Sequence, residues 1–490
     1  MRWLKLSWAV LGIGCGGTPT TPQPDLGPRS TYTEAQAAAA RTACTFKAGA
    51  LPGESLAKDA PIGPQIPIDT VVVVMMENRS FDHLLGNLPA TGQPDVEVAA
   101  ANASNLDSDG KPVQRFHLTD YCFDDTSHEW EGSHKEWNNG KNDGFVVANQ
   151  GGKGDAQGAR AMGYYDQTDL PFLYGLANRF SIADQFFCSV MGPTFPNRMY
   201  LYGATSFGYT YNWLLSHHEP NLLEKLEQAG VSWHEYYETF PGSGIFTNTF
   251  VTHIGDHYEK IEDFLSAAAA GTLDHFVLVD PNLRSDGALR DDQHPPGDIQ
   301  LGDQFLEKIV NAVMKSPQWP RLALFITWDE HGGIYDHVPP PTACSPDASE
   351  YIYEHGVKGP SPAPGAGFDR LGFRVPLVVV SPYARPHFVS HKVYDHTSIT
   401  RFVEARFLLG ALSARDANAD PLYELFDFSK PALLQPPTLP KALVDQAKLN
   451  ACIAAWPKKD FGDGGLDVFL EDMSKPADLA TKPTDGGTNG

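Results

Sequence analysis

Thr70-Val71-Val72-Val73-Val74-Met75-Met76 carries no charge, and Glu77-Asn78-Arg79-Ser80 follows at once. An unbroken apolar run rich in β-branched residues predicts a strand buried on both faces, because a half-buried strand would alternate. Three further runs read the same way: His275–Val279 (HFVLV), Leu322–Thr327 (LALFIT) and Val375–Val380 (VPLVVV). Helical patterns lie between them. Asp298–Met314 sets Phe305, Ile309, Val310 and Val313 at helical spacing, with Asp298 as N-cap, and Ser398–Leu412 repeats the period through Ile399, Phe402, Val403 and Phe407. Ala267–Ala270 reads as a short helical piece. Strands alternating with helices predict an α/β fold: a mostly parallel sheet with helices on both faces and long loop insertions, Asn138–Gly163 among them.

Each apolar run ends in polar residues: Glu77–Ser80, Asp280, Asp329-Glu330-His331 and Ser381. Open α/β sheets bind ligands beyond the carboxyl ends of their strands, so these residues are expected to converge on one crevice. Glu77 beside Asn78 offers hard oxygen ligands for a metal, although Asn78 or Ser80 could instead cap a helix through Phe81–Leu85. Asp329 and Glu330 are costly to bury side by side without a cation, and Gly332-Gly333 lets the backbone come close to a ligand. Gly192-Pro193-Thr194 leads into a helix expected over Asn197–Tyr202. A hydroxyl there faces the positive end of the dipole, which suits phosphate, unless Thr194 merely caps the helix. Seventeen histidines are present, so most are structural or exposed. Those nearest the motifs are His128, His134 and His294, with His234, His331, His337 and His396 as further candidates for holding phosphoryl oxygens or protonating a leaving group.

The chain has 490 residues, with 37 Lys plus Arg against 60 Asp plus Glu, a formal charge of −23. That balance excludes a general nucleic-acid binder, which needs a basic face. Arg2 and Lys5, the apolar Leu6–Gly14 and then Cys15 have the layout of a signal peptide, with Cys15 as a lipidated N-terminus and so a membrane anchor. Gly12, Gly14 and Gly17 match G-x-G-x-x-G, but no strand precedes them, so no dinucleotide site is read there. The expected layout is a signal peptide over 1–14, a tether and N-terminal segment over 15–60, the main domain over 61–456 and an acidic extension over 457–490. Export permits disulfides. Cys188, within Phe186-Phe187-Cys188, reads as a buried thiol. Of the three pairings open to the other four cysteines, Cys44–Cys452 with Cys122–Cys344 is the expectation.

Six blocks, taken in order, resemble the bacterial phosphoesterase family of phosphatidylcholine-type phospholipases C and acid phosphatase A. They are Glu77-Asn78-Arg79-Ser80-Phe81-Asp82-His83; His128-Glu129-Trp130 with His134, Trp137-Asn138 and Asp143-Gly144-Phe145; Gly192–Arg198; His294-Pro295-Pro296 with Asp298; Trp328–Gly333; and Tyr394–Ser398. The resemblance spans about Ile66–Leu412. It implies an alkaline-phosphatase-like core, with Thr194 as nucleophile and Glu77, Asn78, Asp329, Glu330 and Thr194 as metal ligands. His294 and His128 would be catalytic, facing the phosphoryl or leaving group, and Asn78, His134 and His234 would contact substrate. One or more divalent ions (Ca, Mg, Mn or Zn) would be the cofactor, hard donors favouring the first three. The longer phospholipases of the family carry extra C-terminal domains, and this chain ends shortly after the core.

The expected function is an exported, metal-dependent phosphoesterase working through a phosphothreonine intermediate. A phosphatidylcholine-type phospholipase C-like diesterase leads. A broad acid phosphatase acting on monoesters is the alternative, and a non-catalytic surface lipoprotein is the alternative of another class. A choline pocket would need aromatic faces. Trp130, Trp137, Tyr164, Tyr165, Phe195 and Tyr335 lie near the motifs.

Overall fold

The computed structural model describes residues 26–457 except 216–217, 284–286, 354–355, 360–361 and 363–364. Cys15, the tether up to residue 25 and the extension from residue 458 lie outside the described residues. The central sheet has eight strands: β1 (Thr70–Met76), β2 (Ser181–Ala183), β3 (Trp233–Tyr237), β4 (Tyr258–Lys260), β5 (Phe276–Asp280), β6 (Leu322–Trp328), β7 (Leu377–Val380) and β8 (Phe388–Ser390). Their spatial order is β8-β2-β7-β6-β1-β5-β3-β4. β1 is central, parallel to β5 on one side and to β6 on the other, with Met76 opposite Trp328. Every residue of β1 and β6 is buried, as continuous apolar runs require.

β7 alone runs against the rest. Ser381 therefore leaves the sheet at the amino ends of its neighbours, where its hydroxyl donates to Leu322 O at 2.8 Å. The convergence expected of four strand ends holds for three. β7 is also shorter than the apolar run, because Pro376 has no N–H for a ladder. β5 is displaced by one residue, since Asp280 continues the ladder opposite Tyr237.

Six helices carry or back the functional residues: α1 (Phe81–Leu85), α2 (Trp130–Trp137), α3 (Thr194–Gly203), α4 (Thr247–His253), α5 (Ile299–Lys315) and α6 (His396–Phe407). α5 buries Phe305, Leu306, Ile309, Val310 and Val313, and Asp298 caps it by accepting from Gln300 N. α6 starts earlier than its apolar period, on an Asp395–Ser398 capping box, and stops where Leu408 turns left-handed. The short Ala267–Ala270 piece is the end of a longer helix, Ile261–Ala270. The Asn138–Gly163 insertion is only partly superficial: its Phe145, Val146 and Met162 form a satellite core with Phe373.

The disulfides are Cys44–Cys344 and Cys122–Cys452, not the expected pairs, and Cys188 is a free buried thiol. The first and last described helices dock on different neighbours. Cys44 follows the N-terminal helix Glu34–Thr42, and Cys344 Sγ lies 3.6 Å from Arg41 O in that helix. The helix Gln446–Ala455 carries Cys452 and lies against the segment before Cys122, with the Lys448 ammonium 3.7 Å from the Tyr121 ring centre. Among the described residues no helix is long and apolar enough to cross a membrane.

Candidate active site

The carboxyl ends of β1 and β6 form the floor of the site. Ser80, not Asn78, caps α1 by accepting from His83 N, which frees Asn78. Asn78 takes a left-handed φ of 54°, tolerable for asparagine, and turns its own N–H onto Asp329 Oδ1 at 3.1 Å. Asp329 Oδ1 also accepts from Glu330 N at 2.7 Å, and Glu330 Oε2 from Gly332 N at 2.7 Å. Gly332 has φ 68°, and a Cβ there would stand 2.2 Å from Asn78 O, so the strand-end turn requires glycine.

Thr194 is the first residue of α3. Pro193 is the cap and Pro196 fits the first turn, so the helix begins three residues before the expected Asn197 and the Thr194 hydroxyl does not cap it. Asn197 braces the approach, donating to Gly192 O at 2.9 Å and accepting from Val190 N at 3.0 Å. One turn after Thr194, on the same face, comes Arg198. Its buried guanidinium reaches Glu77 Oε1 at 3.3 Å, Asp329 Oδ2 at 3.4 Å and Asp280 Oδ1 at 3.5 Å. Arg290 faces the other oxygen of Glu77 at 3.4 Å and pairs with Asp292. Arg198, Arg290 and Asp292 are the participants the sequence reading missed. Arg198 could have been found from its i+4 spacing to Thr194; nothing local marks Arg290.

Burial dominates the carboxylates. It pushes Asp329 and Glu330 each up to about 7, against the pull of Arg198 and His128 respectively. Glu77 is raised well above its ordinary value, by burial first and then by Asp329. Three buried oxygens, Asn78 Oδ1, Asp329 Oδ2 and Glu330 Oε1, have no hydrogen-bond partner. Asn78 Oδ1 and Glu330 Oε1, without partners, and Asp329 Oδ2, held only by its ion pair with Arg198, are hard oxygens at two adjacent strand ends that fit a divalent cation. Glu77 fits less directly, because both of its oxygens face arginines.

The histidines divide. His128 Nδ1 lies 2.6 Å from Thr126 O and its Nε2 is 3.1 Å from Asn78 Nδ2. Burial lowers its affinity for a proton, but Glu330 and Asp125 outweigh that and raise it to about 10. His294 packs edge-on against His128 with ring centres 5.5 Å apart, and burial, Arg290 and His128 hold it well below the ordinary imidazole value. Asp125, His128 and His294 bring one donor atom each within 4.8 Å of one another. His134 is not brought to this cluster: its two ring nitrogens face Trp130 O at 2.6 Å and Ala366 O at 2.8 Å. His234 is farther still, on β3 near the amino end of the sheet, between Asp274 and Glu259. His331 pairs with Glu136 and His396 faces Trp328 O, both as supports of the strand end.

The six aromatics do not make one cage. Trp130 packs with Tyr351 and Phe368, Trp137 and Tyr335 belong to the Phe145 cluster, and Tyr165 belongs to the main core with Phe195 against it. Tyr164 is covered by Arg115 at 4.2 Å.

A family model described as the phosphoesterase family matches residues 68–410. Phospholipase C B of Mycobacterium tuberculosis is 31% identical over 483 residues, covering 85% of this chain and 88% of its own. Non-specific phospholipase C1 of Arabidopsis thaliana is 32% identical over 389 residues, covering 74% of this chain and 71% of its own. A solved structure of a protein in the alkaline phosphatase superfamily from Vibrio parahaemolyticus aligns with 80% of this chain and 78% of its own, at 9% identity and a TM-score of 0.39. That likeness is too remote to assign anything to this chain.

Proposed function

The chain belongs to the phosphoesterase family, and from that premise we propose that it is an exported, metal-dependent phospholipase C-like diesterase that uses Thr194 as nucleophile. The supporting observation is the position of Thr194, one helical turn ahead of an arginine that touches both Glu77 and Asp329. The similarity to phospholipases C over most of both chains favours a phosphate diester, phospholipid included, as substrate. Export and an anchor at Cys15 are supported by the charged, apolar and cysteine order of the first residues.

Asn78, Asp329 and Glu330 would hold the cation, with Glu77 and Thr194 beside them. When bound, a divalent ion there lowers the pKa of a hydroxyl and neutralises phosphoryl charge. The Thr194 hydroxyl first releases its proton to solvent, and its oxygen attacks phosphorus in line with the leaving alcohol, so one P–O bond forms as the other breaks. The amino end of α3 faces the developing negative charge. His128 would give a proton to the departing oxygen through Nε2, the nitrogen that faces the Asn78 amide and is not tied to a backbone carbonyl, while neutral His294 offers a hydrogen bond. Water then cleaves the Thr194 ester and returns the proton to His128, completing two-step nucleophilic catalysis.

The test compares p-nitrophenyl phosphorylcholine with p-nitrophenyl phosphate, using wild type and Thr194→Ala. Preference for the diester, lost in the variant, is expected. Preference for the monoester would make the protein an acid phosphatase. Full turnover by the variant on either ester would remove Thr194 from the mechanism.

A further inference from the structure

α4 ends at His253, and the turn Ile254-Gly255-Asp256-His257 leads from it into β4, at the opposite end of the sheet from Thr194. We propose that His253, Asp256 and His257 form a second metal site, for zinc or a similar transition-metal dication, that is separate from the catalytic centre.

The three residues bring one donor atom each within 4.8 Å of one another. The i, i+3, i+4 spacing sets them on one side of a turn, which closes as His253 O accepts from both Asp256 N and His257 N at 3.1 Å. Each imidazole is held from behind. His253 Nε2 faces Glu227 Oε2 at 3.2 Å. His257 Nδ1 lies 2.7 Å from Trp233 O, and the ring stacks on Trp233 at 4.1 Å. This is how metal-binding histidines are oriented: a carboxylate or carbonyl fixes one nitrogen and leaves the other for the ion. The nitrogen left on His253 is Nδ1. It is buried, has no hydrogen-bond partner and stands 3.7 Å from Asp256 Oδ1, on a residue only 9% exposed. A buried polar atom without a partner costs free energy, and a cation at this point removes that cost.

Two imidazoles and one carboxylate select zinc-like ions over calcium or magnesium, which prefer all-oxygen shells. The Asp256 side chain is 66% exposed, so water can reach the remaining coordination position. Trp233 is opposite Phe276 on β5, and Phe276 is opposite Val71 on β1. At roughly 3.3 Å per residue, the cluster is about 20 Å along the sheet from Glu77. Metal there ties the end of α4 to β3 and to the helix Leu222–Gln228, a stabilising role rather than a catalytic one.

The experiment measures zinc bound by chelator-treated full-length protein, by equilibrium dialysis with elemental analysis, and its melting temperature with and without zinc. Asp256→Ala, a change at an exposed turn, should weaken one zinc equivalent at least tenfold and abolish the zinc-dependent rise in melting temperature. His257→Ala should do the same. The loss should be equal in an Asp329→Asn background, and diester hydrolysis by Asp256→Ala should stay at the wild-type rate. Because the readout is zinc content, a failed phosphoesterase assignment leaves it intact. Equal zinc affinity in wild type and folded Asp256→Ala would overturn the site.

Discussion

Two buried ionic clusters flank α1, built from the same two stretches of sequence, and they are opposites. One is the candidate catalytic group of Glu77, Asn78, Asp329 and Glu330. The other joins Asp82, Asp336 and His337 to Arg374. In the second cluster every carboxylate oxygen is used. Asp82 accepts from Ala99 N, His337 N and His337 Nδ1, and Asp336 receives Arg374 at 2.8 and 3.1 Å. Burial would raise Asp82, but Arg374 and His337 outweigh it and hold that carboxyl well below the ordinary range. In the candidate catalytic group, Glu330 keeps one unpartnered oxygen, Asp329 Oδ2 has only its ion pair with Arg198 at 3.4 Å and no hydrogen bond, and both carboxyls are raised to about 7. Residue types and burial match, so neither separates a structural knot from a site. What separates them is whether the hydrogen-bonding capacity is spent. Asp82, Asp336 and His337 have metal-like spacing, yet Arg374 already fills the place of a cation.

Substitutions can break this contrast. Thr194→Ala should lower kcat/KM by about 10³-fold or more, roughly 4 kcal/mol, with an unchanged melting curve. Asp336→Ala should do the reverse, costing about 3 kcal/mol of stability by taking away the two-pronged partner of buried Arg374, which then keeps only the Asp82 carboxylate at 3.3 Å. The protein that stays folded should retain wild-type turnover, as denaturation and specific-activity measurements would show. His128→Ala should cost about 10²-fold in kcat if it is the acid, while His134→Ala, bound to two carbonyls away from the cluster, should change kcat by less than a factor of a few.

A finer test uses proton linkage. Asp329 and Glu330 have folded values near 7, above their ordinary 3.8 and 4.5. The unfolded chain therefore releases these protons first, and chelated protein should lose stability as pH rises from about 4 to about 7. Added divalent cation should flatten that slope. Glu330→Gln should raise the melting temperature of chelated protein by a few degrees while abolishing hydrolysis, since it removes a buried carboxylate whose Oε1 has no hydrogen-bond partner. The matching Asp82→Asn change should destabilise at neutral pH, because its charge is already paired, and the penalty should shrink as pH falls below about 4.

The parts legible in the sequence were those set by local chemistry. The extent of β1, the Asp298 cap and the buried Cys188 follow from apolar runs and short-range hydrogen bonding. The six motif blocks also placed Thr194, Asn78, Asp329 and Glu330 at the two strand ends and the helix start. What stayed hidden depends on chain segments far apart. The reversal of β7, which removes Ser381, is invisible in an apolar run that reads alike in either direction. The disulfides depend on where the helices Glu34–Thr42 and Gln446–Ala455 dock. Arg198 was quoted within its motif, but its three carboxylate partners come from three different strands. His234 carries an unremarkable sequence context, and only the register of β3 shows that it lies at the wrong end of the sheet.

The central claim is that Thr194 becomes covalently bonded to phosphorus. Rapid quenching of wild-type protein during turnover of p-nitrophenyl phosphorylcholine, followed by peptide mass spectrometry, tests it most directly. The peptide containing Thr194 should carry one phosphorylcholine group, absent in Thr194→Ala. An unmodified Thr194 peptide, together with undiminished hydrolysis by Thr194→Ala, would contradict it.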